Sequence, residues 1–270
     1  MKKIFKLSLA AASFALLASG ASAGIVSTPH NLTATGANPG PGPNKQSTTE
    51  QICVFCHTPH AANTSATAPL WNKAIPASTG YTTYSTANSS TIDGNVLAVG
   101  SVSAACLSCH DGTQAMDNLV NAPGSGGLNA AGSDRNYNWT TGTNKVTGVA
   151  NLTKDLTNDH PIGIQYCGGG LTGSGATVSG SCADGDFNAV TTKSINGSQV
   201  FWVDTTGAGT RSKNDIILYT RTFTNNATGP SVECASCHDP HTDKAGTNSD
   251  VNFMRVTTSG SKICLACHTK

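Results

Sequence analysis

Four C-x-x-C-H motifs constrain this sequence more than any other feature. Motifs 1 to 4 occupy residues 53–57, 106–110, 234–238 and 264–268, and they use eight of the ten cysteines. Two thiols at this spacing reach the two vinyl groups of one haem and form thioether bonds, while the adjacent histidine reaches the iron. The predicted thioether ligands are Cys53, Cys56, Cys106, Cys109, Cys234, Cys237, Cys264 and Cys267, and the predicted proximal iron ligands are His57, His110, His238 and His268. The sequence therefore predicts four covalently attached haem c groups.

Two other uses of paired cysteines compete with haem. C-x-x-C pairs are common zinc ligands, but zinc motifs rarely place a histidine directly after every pair. A disulfide framework is common in exported chains, but it leaves the four motif histidines without a role. Both alternatives are therefore disfavoured.

The remaining cysteines, Cys167 and Cys182, flank a stretch rich in Gly and Ser. In an exported chain they are expected to form a disulfide, which chain entropy makes worth about 3 kcal/mol. A redox or metal site is the alternative for this pair.

The histidines outside the motifs match the predicted haems in number. They are His30, His60, His160 and His241, one for the sixth position of each iron. This balance predicts bis-histidine ligation throughout, with Met116 and Met254 as the alternative axial ligands. An iron with both axial positions filled exchanges electrons and has no open position for a substrate. We therefore expect an electron-transfer protein and not an enzyme.

His60 and His241 each follow a motif histidine by three residues. Each is too close to the proximal side of its own haem to reach the opposite face, so each must bind the iron of an adjacent haem. Chain order predicts His60 for the haem at Cys106/Cys109, His241 for the haem at Cys264/Cys267, and His30 and His160 for the haems held by His57 and His238.

Residues 1–23 have the pattern of an export signal. Lys2, Lys3 and Lys6 precede an apolar run at about 7–17, and Ala21-Ser22-Ala23 forms a small-residue cleavage site. The apolar run is shorter than the roughly 20 residues that a membrane anchor needs. We expect a secreted mature chain that begins near Gly24 and has no membrane span.

The composition points to an interior built around haem. Hydrophobic residues make up 37% of the chain and charged residues 11%, both well below the usual share of a globular domain. The predicted fold is therefore mostly coil, with a few short helices, a candidate β-hairpin, and haem as the organising element. The apo-chain is not expected to fold. The net charge of +1 offers no basis for nucleic-acid binding.

The mature chain divides into four predicted regions. A Gly- and Pro-rich arm spans 24–50, a two-haem region 51–118, a polar insert 119–230 and a second two-haem region 231–270. Helices are expected to begin near Thr49 and Ser103. Segments 199–203 and 216–219 are rich in β-branched and aromatic residues and form the candidate hairpin.

Several segments resemble the doubled C-x-x-C-H multihaem cytochromes, and among them the OmcE-type tetrahaem cytochromes. They are 53–60, Pro69-Leu70-Trp71-Asn72, 106–113, Asp159-His160-Pro161-Ile162-Gly163 and 234–241. The resemblance implies stacked bis-histidine haems in a mostly coil fold, and polymerisation into extracellular conductive filaments. It also implies that one axial histidine crosses to the adjacent subunit, and the early position of His30 makes it the candidate.

Three functions follow from these observations. The leading one is an extracellular, filamentous electron conduit that receives electrons from partner cytochromes and delivers them to metal oxides or electrodes. The second is a soluble periplasmic tetrahaem shuttle. The third is a multihaem reductase, which needs one iron with an open or displaceable ligand.

Overall fold

The computed structural model describes residues 24–34, 40, 43–45, 50–84, 89–121, 145–172, 181–224, 228–242 and 253–270. The predicted export signal and much of the predicted arm lie outside the described residues. The α-helices are α1 (Ser101–His110), α2 (Tyr166–Gly169), α3 (Cys234–Cys237) and α4 (Lys262–Cys267). Short 3₁₀ helices span Gly24–Ser27, Ile52–Phe55, Gly148–Ala150 and Ser259–Ser261. None of the helices in this described part has the length and apolar character needed to span a bilayer.

The central element is a five-stranded antiparallel sheet. Its strands are β1 (Ile164–Gln165), β2 (Thr191–Ile195), β3 (Ser198–Val203), β4 (Ile216–Thr222) and β5 (Thr228–Val232), in the spatial order β1-β5-β4-β3-β2. Each neighbouring pair is antiparallel. Most of the sheet therefore belongs to the segment predicted as a polar insert.

Local chemistry explains the β2–β3 hairpin. Asn196 and Gly197 connect the two strands with φ angles of 51° and 79°. Two consecutive residues of positive φ form the tight turn that suits the twist of a hairpin, and Asn-Gly is the preferred pair for it. This turn fixes the register that places β2 at the sheet edge.

The sheet has two buried faces. Phe201, Val203, Ile216 and Leu218 point to one face, where they pack with Tyr166 and with Ala266 of α4. Side chains alternate along a strand, so Trp202 and Ile217, both buried, point to the other face. The helix α3 follows β5 directly and contacts β4 and α1. The sheet thus packs against the helices of motifs 2, 3 and 4.

The predicted fold class is wrong, because the structure contains a five-stranded sheet and not mostly coil with one hairpin. The two predicted strand segments are present as β3 and β4, and they pair with each other, with Phe201 opposite Leu218. The strands that were missed are the two-residue β1, the edge strand β2, which has no buried side chain, and β5, whose Gly229 and Pro230 are atypical of strands. Burial of Phe201, Ile216 and Leu218 outweighs these weak local preferences.

Candidate functional site

All four motifs adopt a single tight turn. In motif 1 the backbone N–H of His57 donates to the carbonyl of Cys53 at 2.8 Å, and the same bond joins His238 to Cys234 at 3.1 Å and His268 to Cys264 at 2.9 Å. Motif 2 forms the last turn of α1. Each motif therefore presents two sulfur atoms and one imidazole from the same turn, as covalent haem attachment requires.

Motifs 1, 3 and 4 share a second structural feature, a neighbouring segment whose backbone pairs with the motif. Thr58 donates its backbone N–H to Leu70 at 2.9 Å, and Asn72 donates to Cys56 at 2.9 Å. At the matching positions of motif 3, Asp239 donates to Phe253 at 2.7 Å, and Arg255 donates to Cys237 at 2.8 Å. In motif 4, Thr269 donates to Asp186 and Asn188 donates to Cys267, both at 2.8 Å. The same pairing therefore forms at three motifs, with a segment that follows motifs 1 and 3 in the chain but precedes motif 4.

Two histidine pairs have a ring spacing close to that of two imidazoles on opposite sides of one metal. The ring centres of His57 and His241 are 6.0 Å apart with nearly parallel planes, and those of His30 and His110 are 6.1 Å apart. An imidazole nitrogen about 2.0 Å from a metal puts its ring centre about 3.1 Å away, so the ring centres of two imidazoles on opposite sides of one metal lie about 6.2 Å apart. Each pair joins one motif histidine to one histidine outside the motifs.

Hydrogen bonds fix the tautomers of these rings. The Nδ1 atom of His57 lies 2.7 Å from the carbonyl of Pro69, that of His110 lies 2.7 Å from Ala150, and that of His30 lies 3.2 Å from Pro240. A carbonyl oxygen only accepts, so each Nδ1 carries the proton and each Nε2 keeps its lone pair for a metal. Oriented imidazoles of this kind are typical of metal ligands.

Neighbouring residues hold the rings of His30 and His241 in place. Burial lowers the pKa of His30 to about 4, which keeps the ring neutral and able to bind iron. Phe253 stacks on the same ring at 4.1 Å. The Nδ1 atom of His241 lies 3.6 Å from the Asp239 carboxylate, and the His241 contact is the main reason that the pKa of Asp239 falls to about 2.

Within the described residues, the other four histidines do not form ring pairs of this kind. His160 is exposed, and its Nδ1 atom donates to the carbonyl of Pro161 at 2.9 Å. The pKa of His268 is lowered mainly by burial and also by the nearby charge of His160. His60 and His238 are both exposed, and within the described residues neither ring contacts another histidine ring. This differs from the ligand assignment predicted from chain order, which gave His241 to the haem at motif 4 and His30 to a haem other than that of His110.

The sulfur atoms of different motifs lie close together. The side chains of Cys56 and Cys109 pack against the same apolar cluster, and the thiol of Cys106 contacts that of Cys234. Burial raises the pKa of Cys56 to about 12, and that of Cys237 to about 11. Within the described part, no group of three His, Cys, Asp or Glu side chains converges on a metal position.

The two cysteines outside the motifs form a disulfide, as the sequence predicts. Cys167 and Cys182 are joined at 2.02 Å, and Cys167 is fully buried in the apolar face of the sheet. The eight motif cysteines are not joined to one another. The alternative of a disulfide framework is therefore not supported.

A buried carboxylate links motifs 2 and 3. Glu233, directly before Cys234, accepts hydrogen bonds from Ser103 of α1, from Arg221 of β4 at 2.7 Å and from Ser231 of β5 at 3.1 Å. Its backbone N–H donates to Ser236 at 2.9 Å, which completes the cap of α3. Burial raises the pKa of Glu233, while its three donors favour the ionised form. Sequence reasoning missed this residue because a single Glu before a motif carries no distinguishing pattern.

The methionines considered as alternative axial ligands have other positions. Met116 packs with Phe55 in the apolar cluster of motifs 1 and 2, and the backbone of Met254 pairs with that of His238. Both are buried.

The family described as the doubled CXXCH motif matches residues 227–270, which include motifs 3 and 4. No curated protein matches the chain. The motifs indicate covalent binding of haem c and a role in electron transfer of the cytochrome c type. The chain therefore has the features of a multihaem c-type cytochrome.

Proposed function

We propose that this chain is an exported tetrahaem cytochrome that conducts electrons through four closely packed bis-histidine haems. The observation that carries the proposal is the pair of histidine contacts at 6.0 and 6.1 Å, each between a motif histidine and a histidine from elsewhere in the chain. Both pairs have a spacing close to that of two ligands on one metal.

The ligand pairs also account for close packing of the haems. His241 follows motif 3 but faces His57 of motif 1, so one iron is held by residues of two motifs. His30 contacts His110 of motif 2 by its ring and Pro240, beside motif 3, by its Nδ1 atom. Because electron tunnelling falls steeply with distance, haems attached to such interlocked motifs suit rapid transfer between irons. The haem supplies the redox chemistry, and the chain supplies spacing and electrostatics.

The remaining histidines favour an OmcE-type filament, in which one axial ligand comes from the next subunit. Because His30 contacts His110 of its own chain, we assign the crossing ligand to His60 instead. His60 is exposed. Two exposed apolar residues lie in segments that hydrogen-bond to its loop: Leu70, 53% exposed, whose carbonyl accepts from Thr58, and Val120, 49% exposed, which precedes the Asn121 that donates to the carbonyl of His60. His238 would receive it in the adjacent copy. Each subunit would then complete the haem of its neighbour, and such head-to-tail contacts generate open filaments.

The proposed location is extracellular or at the cell surface, and the proposed partners are further copies of the chain, donor cytochromes and external acceptors such as metal oxides or electrodes. The residues that would direct export, 1–23, lie outside the described residues. A soluble periplasmic shuttle with the same four haems is the second candidate.

Haem content tests the core of the proposal. Pyridine haemochrome analysis of the purified mature chain is expected to give four haem equivalents, and electron paramagnetic resonance of the assembled protein is expected to show low-spin haem. Far fewer equivalents would reject the four-haem assignment, and a high-spin haem that binds carbon monoxide rapidly in the assembled protein would favour a reductase.

Assembly is tested separately by electron micrographs of secreted wild-type protein and of His60→Ala. Filaments are expected for the wild type, and discrete particles with normal haem content for the variant. Wild-type particles of single-chain size would favour the periplasmic shuttle, and normal filaments of His60→Ala would reject His60 as the crossing ligand.

A further inference from the structure

Lys73 has the least usual environment of any charged residue in the described part of the chain. Its side chain is fully buried, although lysine is almost never buried without a charged partner. Its Nζ atom lies 2.9 Å from the carbonyl oxygen of Ala115, 3.2 Å from that of Met116 and 3.0 Å from that of Asn118. These three carbonyls belong to the turn that follows motif 2.

The three carbonyl contacts indicate that the Lys73 amine is protonated. A carbonyl oxygen cannot donate, so each of the three contacts needs an N–H from Lys73. Only the ammonium form has three such donors. No carboxylate of the described residues lies within ion-pair distance of it. The side chain is therefore a buried positive charge that is solvated by carbonyl dipoles and not neutralised by an anion.

The charge lies at the boundary of motifs 1 and 2. Lys73 directly follows Asn72, whose backbone N–H binds the carbonyl of Cys56. Met116, one of its three acceptors, packs in the apolar cluster that also contains Cys56 and Cys109.

We infer that Lys73 is a potential-determining residue, which raises the reduction potential of the haem attached at Cys53 and Cys56. This inference rests on the proposed function, since it requires a haem at motif 1. Reduction adds one electron to the ferric centre, removes one positive charge and moves no proton or leaving group. A fixed cation in a water-poor environment disfavours the more positive oxidised state, so it favours acceptance of the electron.

Lys73 also joins two segments of the chain, and a purely structural role has to be distinguished from an electrostatic one. The test is a spectroelectrochemical titration of purified holoprotein, with dithionite as reductant, for four proteins. Lys73→Gln removes the charge but retains two N–H donors, Lys73→Arg retains the charge, and Lys193→Met removes a charge from the exposed surface of β2. Haem content and low-spin spectra are recorded for each.

The expected result is a downward shift of one component of the titration in Lys73→Gln, with wild-type midpoints in Lys73→Arg and Lys193→Met. Unchanged midpoints in a Lys73→Gln protein with full haem content would overturn the inference. Loss of the motif 1 haem in Lys73→Gln but not in Lys73→Arg would also overturn it, because the lysine would then serve haem retention. Absence of haem in the wild type would instead reject the proposed function.

Discussion

Motifs 1 and 3 share a backbone and differ in charge. In each, the side chain of the residue that returns to the motif donates to the carbonyl after the first cysteine: Asn72 to Val54 at 2.7 Å, and Arg255 to Ala235 at 3.0 Å. The residue after the motif histidine is Thr58 in one loop and Asp239 in the other. Motif 3 therefore carries an Asp239–Arg255 pair where motif 1 has neutral side chains. The loop geometry positions the ligands, and the side chains around it are free to set different haem environments.

The histidines that follow motifs 1 and 3, His60 and His241, have different surroundings. Substituting them is expected to give the largest effect. His241 faces His57, whereas the ring of His60 contacts no histidine ring in the described residues. In unassembled holoprotein, His241→Ala is expected to convert one haem from low spin to high spin, because one iron loses an axial ligand. Electron paramagnetic resonance measures this change.

His60→Ala is the matched control for that experiment. In the same unassembled protein it should leave the spin state unchanged, since His60 is proposed to act on a neighbouring copy. Identical effects of the two substitutions would show that the loops are equivalent and would contradict the assignment.

Motif 3 is also anchored more firmly at its start. Glu233 is fully buried and bonded to α1, β4 and β5, while the corresponding position of motif 1 is Ile52. Glu233→Ala leaves Arg221 without its carboxylate partner and is expected to destabilise the fold by about 3 kcal/mol, or about 6–12 °C in Tm.

Calorimetry of holoprotein checks this prediction, with the exposed Glu50→Ala as control. A fall of similar size in both variants would mean that removal of any carboxylate is destabilising, and that the buried network has no special role.

The charge difference between the loops predicts a smaller, electrochemical effect. Asp239 has a side chain that is 17% exposed and lies beside the Nδ1 atom of His241. Asp239→Asn removes a negative charge near this proposed ligand, so one midpoint potential should rise by roughly 20–60 mV. Cyclic voltammetry measures the shift, and Thr58→Asn provides a neutral substitution at the matching position. A downward shift in Asp239→Asn would contradict the proposed ligand role of His241.

The smallest predicted effect concerns backbone strain at equivalent positions. Leu70 and Phe253 have φ angles of 54° and 69°, a region that favours glycine. Leu70 is 53% exposed, so Leu70→Gly relieves strain with little loss of packing and should stabilise by up to about 1 kcal/mol.

Phe253→Gly should instead destabilise, because Phe253 stacks on His30 at 4.1 Å. Thermal unfolding of both variants compares them directly. The two substitutions are expected to change stability in opposite directions. If Phe253→Gly were also stabilising, the stacking on His30 would contribute nothing to stability.

The sequence predicted the features that depend on short spacings. The four motif turns depend on residues three to five positions apart, and the Cys167–Cys182 disulfide is the only pairing left once the motif cysteines are assigned. The rest of the sheet was missed because β1 has only two residues, β2 has no buried side chain and β5 contains Gly229 and Pro230, although the Asn196-Gly197 turn was a usable signal. The His57–His241 contact could not be derived from chain order, because the intervening sheet brings motif 3 back to motif 1. Burial of Lys73 and Glu233 has no local signature, since it depends on which segments meet in three dimensions.

The contact between His57 and His241 has a consequence for how the molecule is made. If the chain is exported as proposed, motif 1 would emerge early, and His241 would follow only after the whole sheet region. A haem attached at Cys53 and Cys56 during export would then lack its proposed second axial ligand until the chain is nearly complete. Maturation would end with a step that joins the two ends of the mature chain.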